Sequence, residues 1–171
     1  MKSKCHICFQ VIFVLTLLYS PSLISQNETI PWIPLSKDAP ENIPGRENTV
    51  ITYDQIGLPV YPGVYLTSYY PADSSNGSGD AITSLATVFL VSTDDEESVK
   101  EFYVENLKKS DGWNLFEEYE VFVKGDLNDA LSRTVPGVAI REETGESYDL
   151  QGADPKIVSS LKTRIKILYK H

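Results

Sequence analysis

The sequence predicts an α+β domain with one long helix packed on an antiparallel sheet of five or six strands. Several segments alternate apolar and polar residues, which is typical of half-buried strands. A single segment, residues 93–112, instead repeats apolar residues at helical spacing. Glycine, proline, asparagine and aspartate separate these segments and mark turns.

Two segments that precede the helix are predicted to be strands. Residues 64–70 are rich in tyrosine, valine and threonine, which favour strands. Residues 81–92 carry apolar side chains on both alternating sets, with Phe89 on one and Val88 on the other. This pattern predicts a central strand covered on both faces. Between the two, residues 71–80 predict a hairpin loop with Asn76-Gly77 as its tight turn.

The helix segment contains six acidic residues within residues 93–105, which raises the question of a catalytic or metal site. We interpret them as the start and outer face of the helix, with Thr93 and Glu96 forming a capping box and Gly112 ending the helix. The opposite face carries an apolar stripe: Val99, Phe102, Tyr103 and Leu107.

The second half of the chain predicts more strands. Residues 113–123 alternate as one strand, residues 137–141 form a short one, and a turn precedes residues 147–150. Asp154-Pro155 is a helix start. In the last strand, residues 162–170, the inward set is Thr163, Ile165, Ile167 and Tyr169, and the other set is basic. We expect the basic set to pair with Glu118 and Glu120; the alternative is a binding surface.

The N-terminus has the layout of a secretory signal peptide in residues 1–25. Lys2 and Lys4 precede an apolar run, residues 7–19, which as a helix of thirteen residues would span about 20 Å against a bilayer core of roughly 30 Å. Cleavage is expected after Ser22 or Ser25. The protein is therefore predicted to be exported, to the periplasm or outside the cell; the alternative is an uncleaved N-terminal anchor.

Residues 26–48 are polar and interrupted by prolines, so we expect an extended arm, with the ordered single domain over residues 49–171. Loss of the signal peptide removes Lys2, Lys4 and both cysteines. It leaves thirteen basic against twenty-four acidic residues, a net charge of −11. Such a chain is a poor partner for nucleic acid or an anionic membrane, and no membrane span is expected after cleavage.

The sequence lacks the known catalytic constellations. The mature chain would have one histidine, the terminal His171, and no cysteine. Ser159 and Lys162 match S-x-x-K, but the companion motifs of that enzyme class are missing. The loop after Asp73 has the wrong spacing for calcium. We expect no enzyme activity, cofactor or metal; the remaining alternative is hydrolysis by paired carboxylates.

Two sets of aromatic and apolar residues are candidates for binding. Tyr65, Tyr69 and Tyr70, next to the predicted loop, are a candidate partner surface. The second set would either line a small apolar ligand site between helix and sheet or close the core: Val99, Phe102, Tyr103 and Trp113. The leading hypothesis is an exported, non-enzymatic module that binds an unknown envelope protein or other envelope component, and the alternative is a carrier of a small apolar ligand.

Residues 59–113 also carry a recurring order of motifs: P-V-Y-P-G-V, then S-T-D-D, then V-x-x-F-Y, a leucine and G-W. It resembles a family of uncharacterised exported bacterial proteins, many of them lipoproteins, with a YPGA … TxDSxxxVxxFYxxxLxxxGW pattern. The resemblance implies export and a shared fold, and no catalytic residues. This chain has Val64 for the alanine, Asp95 for the serine, and no lipidation cysteine.

Overall fold

The computed structural model describes residues 28–43, 45–46, 49–72, 84–108, 111–126, 128 and 134–170. Its centre is a six-stranded antiparallel sheet with the order β1-β2-β6-β5-β4-β3, which confirms the predicted sheet. The strands are β1 (Tyr65–Tyr70), β2 (Ala86–Ser92), β3 (Trp113–Phe116), β4 (Val121–Lys124), β5 (Gly137–Glu142) and β6 (Thr163–Tyr169). The expected signal peptide and the Asn76-Gly77 turn lie outside the described residues.

The C-terminal strand β6 lies in the middle of the sheet, between β2 and β5. Val88 faces Ile167 and Leu90 faces Ile165 across the β2–β6 pair, so the two most apolar strands bury each other. The expected pairing of the basic set of β6 with Glu118 and Glu120 is therefore wrong. Those two residues lie between β3 and β4, and β5 separates them from β6.

The helix α2 (Glu96–Asn106) packs on one face of the sheet, with Val99 and Tyr103 buried. It has eleven residues, an ordinary length, so the expectation of a long helix is wrong. The capping box at Thr93 is also wrong. The N-cap is Asp95, whose carboxylate accepts the Ser98 backbone N–H at 2.9 Å and so satisfies a free donor of the first turn.

Residues 113–123, predicted as one strand, are two strands separated by a 3₁₀ turn at Glu117–Tyr119. Glu120 follows the turn with a φ of 48°, in the left-handed region, and reverses the chain so that β3 and β4 pair. Arg141 on β5 holds this reversal by an ion pair with Glu120 and by donating to the Tyr119 carbonyl at 2.6 Å. Trp113, Leu115, Tyr119, Val121 and Val123 lie at even spacings, which suggested one continuous strand, although Glu117 interrupts the apolar set at the turn.

Residues 147–150, predicted to follow a hairpin turn as strand, contain a second 3₁₀ turn, Tyr148–Leu150, with Asp149 and Leu150 buried. Among the described residues, two short helices have defined bounds, α1 (Tyr53–Ile56) and α3 (Pro155–Val158). The start of α3 is as predicted: the Asp154 side chain accepts the Lys156 N–H at the N-cap. No helix in the described ranges has the length and apolarity needed to cross a membrane.

The arm, expected to precede the ordered domain, is packed onto it. Ile30 and Ile33 are buried, and Ile33 donates its N–H to the Leu66 carbonyl while Leu66 donates to the Pro31 carbonyl. The arm thus satisfies the outer edge of β1, which would otherwise expose unpaired backbone groups. Its scattered isoleucines, rather than any periodic pattern, supply the apolar surface that the edge buries.

Candidate functional site

The two faces of the sheet are covered to different extents. One face packs under α2 in the main core, a cluster that includes Val88, Leu90, Ile165 and Ile167. The other face bears a smaller second core, made of Ile33, Val91, Leu150, Ala153 and Leu161. Farther along β2 on that second face, Thr87 and Phe89 instead line an open groove. We take this groove as the candidate functional site.

The groove has a volume of about 490 Å³ and is lined by Tyr70, Pro71, Ser84, Leu85, Thr87, Phe89 and Lys166. Phe89 is half-buried, and Lys166 lies directly opposite it in the β2–β6 register. The Lys166 Nζ is 5.7 Å from the centre of the Phe89 ring, within the range of a cation–π contact. Tyr70 meets the same ring edge-on at a centroid distance of 6.0 Å.

A buried network of charges adjoins the groove and centres on Arg164. The Arg164 Nη1 lies 2.7 Å from Asp149 Oδ1 and 3.3 Å from Glu143 Oε2, while its Cζ is 4.8 Å from the Phe89 ring centre. The side chains of Glu143 and Asp149 are only 1% and 7% exposed. Arg164 therefore joins the segment that carries both acids to the sheet and holds one flank of Phe89.

The remaining acceptors of these carboxylates are also engaged. Glu143 accepts the Gly145 backbone N–H at 2.8 Å and the Ser147 hydroxyl at 2.8 Å, and the Thr67 hydroxyl is hydrogen-bonded to Asp149. A glycosidase needs one carboxyl to protonate a leaving group and another to face the sugar or a water molecule. Glu143 and Asp149 are instead almost fully buried and both contact one guanidinium. This geometry attaches their segment to the sheet and leaves neither carboxyl facing a substrate.

The serine hydroxyls of the S-x-x-K match form only local hydrogen bonds among the described residues. The hydroxyls of Ser159 and Ser160, at the S-x-x-K match, donate to the carbonyls of Lys156 and Ile157 in the turn that ends α3. In the part of the chain that the structure describes, no group of three or more His, Cys, Asp or Glu residues could hold a metal ion.

The three tyrosines predicted as a partner surface do not share one face. Tyr65 packs against the second core, Tyr69 against the main core, and Tyr70 lines the groove with 45% of its surface exposed. A β-bulge between Leu66 and Ser68 changes the alternation, so that Tyr70 pairs with Thr87 and turns toward the groove. Without this extra residue, Tyr70 would point toward α2.

The four residues considered as a ligand lining or core lie at the helix–sheet interface. Val99, Tyr103 and Trp113 are buried in the main core, and Phe102 is partly buried against it. The ring of Phe102 contacts those of Tyr61 and Tyr103 edge-on, at centroid distances of 5.3 Å and 5.2 Å. These side chains fill the interface, and none of them lines the groove.

Sequence reasoning did not bring together Phe89, Arg164 and Lys166, which lie far apart along the chain. Each carried a signal: Phe89 lay on the second apolar set of its strand, and the other two on the basic set of theirs. Only the pairing of β2 with β6 joins the two sets into one face. No protein-family model, curated protein or solved structure matches this chain.

Proposed function

We propose that this protein is an exported, non-enzymatic binding module, and that the groove receives an apolar group of a partner in the cell envelope. The observation that carries this proposal is Phe89, whose ring lies within cation–π distance of Arg164 and Lys166 and borders an open concave surface. The groove has a volume of about 490 Å³, which falls in the range of ligand sites. Such sites are mostly apolar and contain few polar groups.

The hydroxyls of Thr87, Ser84 and Tyr70 provide polar contacts around this apolar floor. A rigid aromatic floor with a polar rim favours binding over group transfer, since the two nearby carboxylates are engaged with Arg164 and with local donors. Tyrosine is also enriched at protein interfaces because it combines a large apolar ring with a polar end. Tyr70 thus keeps the role proposed for it from the sequence.

A pull-down from envelope extracts with the purified protein tests the proposal. We expect Tyr70→Ala to lose a partner that the wild type retains. Tyr119→Ala is the matched control, since Tyr119 is 46% exposed, nearly the same as Tyr70, but lies between β3 and β4 at the opposite edge of the sheet. Equal retention by all three proteins would contradict the role of the groove.

A second candidate function is the transport of a small apolar ligand, and the volume of the groove favours it as the place of binding. Val99, Phe102, Tyr103 and Trp113 pack together, so their interface is a poorer candidate. Native mass spectrometry of the protein purified under mild conditions separates the two functions. A bound mass of lipid size that Thr87→Arg abolishes supports a carrier, and a bare mass argues against it.

Export is a separate part of the proposal and has its own test. The basic, apolar and small-polar order of residues 1–25 supports cleavage by a signal peptidase. The intact mass of the protein recovered from outside the inner membrane should correspond to a chain beginning at Leu23 or Gln26. A full-length chain retained in the membrane fraction would support the uncleaved anchor instead.

A further inference from the structure

A second concave site lies between the arm and the segment that leads to α1, and it shares no lining residue with the groove. It has a volume of about 440 Å³. Its walls are mostly apolar, with Leu35 and Val50 exposed by 38% and 62%, and its polar lining residues are Glu41, Arg46 and Thr49.

Trp32 and Arg46 form a cation–π pair in this site. The Trp32 Nε1–H donates to the Thr49 carbonyl at 3.1 Å, which fixes the plane of the indole. The Arg46 Cζ lies 5.2 Å from the centre of that ring, within cation–π range. The guanidinium therefore lies against the indole at the wall of the pocket.

Within the described part of the chain, the donors of the Arg46 guanidinium have no acceptor. Among the described residues, it has neither an ion-pair partner nor a hydrogen-bond acceptor, and Glu41, in the same pocket, forms no salt bridge with it. Partial burial of this charge lowers the pKa of Arg46 from its ordinary value, because water solvates the cation less well there. A partly desolvated guanidinium that has no acceptor among the described residues favours the binding of an anion.

We propose that the Trp32–Arg46 pocket binds a monocarboxylate with an apolar tail. The planar fork of a guanidinium matches the two oxygens of a carboxylate, and no acceptor among the described residues takes the N–H donors of Arg46. Leu35 and Val50 supply the apolar wall for the tail. Glu41 repels a second negative charge, so a singly charged carboxylate suits the site better than a phosphate dianion.

The test uses the purified, nitrogen-15-labelled protein and three probes: hexanoate, hexanamide and inorganic phosphate. Titration is followed at the indole N–H resonance of Trp32, which is assigned with the Trp32→Phe variant. Hexanoate should shift this resonance with a Kd at least about tenfold lower than that of hexanamide, the difference expected for one charge-assisted bidentate pair. Equal shifts by the acid and the amide would overturn the proposal, as would tighter binding of phosphate.

Variants separate the guanidinium from the general charge of the region. Arg46→Gln should weaken hexanoate at least about tenfold, and Arg46→Lys should weaken it less, because a lysine keeps the charge and loses the fork. Lys37→Gln is the matched control, since it removes the same charge from an exposed position of the arm and should bind hexanoate as the wild type does.

Glu41→Gln is expected to bind hexanoate more tightly than the wild type, a result that a folding defect would not produce. Removing the like charge should tighten hexanoate about twofold to fivefold. The urea midpoints of all variants are measured in parallel, so that only folded proteins are compared. Wild-type affinity in Arg46→Gln, or weaker binding in Glu41→Gln, would overturn the proposal.

Discussion

At the scale of the residue, Arg164 determines how the charged segment after β5 is attached to the sheet. It contacts two carboxylates that are almost fully buried, and its own side chain is 20% exposed. Removing one charged group from a buried ion-pair network leaves the remaining charges desolvated and unpaired. The charges of an exposed ion pair are largely screened by water, so the loss of one partner costs little. Arg164 and Arg141 therefore differ in their effect on stability.

Arg164→Met should lower the free energy of unfolding by about 3 kcal/mol, because Glu143 and Asp149 lose their buried counter-charge. The control Arg141→Met, in a pair whose side chains are 52% and 37% exposed, should lose less than about 1 kcal/mol. Urea denaturation measures both values. Equal losses would contradict the anchoring role of Arg164, and adding Glu143→Gln to Arg164→Met should restore part of the loss.

Tyr61 is a second residue with a distinct electrostatic setting. Its hydroxyl donates to Asp94 Oδ2 at 2.8 Å, and burial, followed by this bond, raises the pKa of Tyr61 from 10.0 to about 12. A raised folded-state pKa means that the neutral form is favoured by folding. The stability it contributes is complete below pH 10 and is lost as the pH rises through about 12.

Tyrosinate absorbance titrations of the wild type and Tyr61→Phe should therefore differ by a component with a midpoint near pH 12. In Asp94→Asn this component should move toward lower pH, since the carboxylate no longer opposes the phenolate. A difference centred at pH 10 in the wild type would show that Tyr61 and Asp94 do not interact in solution.

At the scale of the element, α2 shows how a local bond sets a boundary. Thr93 and Asp95 are both good N-cap residues, and the sequence alone does not choose between them. Asp95 is selected because its carboxylate accepts the Ser98 N–H, while Thr163 on β6 donates its hydroxyl to the Asp94 carbonyl and fixes the preceding turn. A tertiary contact thus decides where the helix begins.

Asp95→Ala should lower the urea midpoint clearly more than Thr93→Ala does, because only Asp95 satisfies a donor of the first turn. The difference should shrink in acid. The hydrogen bonds from Ser98 lower the pKa of Asp95, so the contribution of this carboxylate is present above its ordinary pKa of 3.8 and is lost as the pH falls through the lower folded value. A larger effect of Thr93→Ala would restore the capping box predicted from the sequence.

At the scale of the whole molecule, the arm completes both the sheet edge and the second core. The backbone N–H of Ser36 donates to the Gly152 carbonyl, and the backbone N–H of Asp154 donates to the Pro34 carbonyl. These two bonds join the arm to the segment before α3. The backbone of Gly152 has a φ of 78°, and a Cβ there would approach Ala39 Cβ and Pro40 Cδ at 3.0 Å. This close approach of two backbone segments requires glycine.

Ile33→Ala should therefore lower the free energy of unfolding by about 3 kcal/mol, since Ile33 is fully buried in the second core. Leu35→Ala, two residues farther along the same arm and 38% exposed, is the control and should lose about 1 kcal/mol or less. Urea unfolding gives both values. A small loss in Ile33→Ala would mean that the arm is dispensable for the domain.

The sequence by itself determined the elements whose signals are local. Strand-forming residues in 64–70 predicted β1, and alternation in residues 162–170 predicted β6. The stripe of Val99 and Tyr103 predicted the buried face of α2, and Asp154-Pro155 predicted the start of α3. These signals are readable because each side of a strand or helix repeats with a fixed period. The turn at Glu117–Tyr119 was missed because the apolar residues on either side of it keep even spacings, although Glu117 interrupts that set.

Only the tertiary structure decided the strand order, the packing of the arm and the two sites. Whether the basic face of β6 meets Glu120 or Phe89 depends on which strands pair, and that choice minimises exposed apolar area over the whole chain rather than within any segment. The same holds for Arg46 on Trp32, which depends on how the arm folds back. Local sequence determines which face a side chain occupies, and long-range burial determines what that face meets.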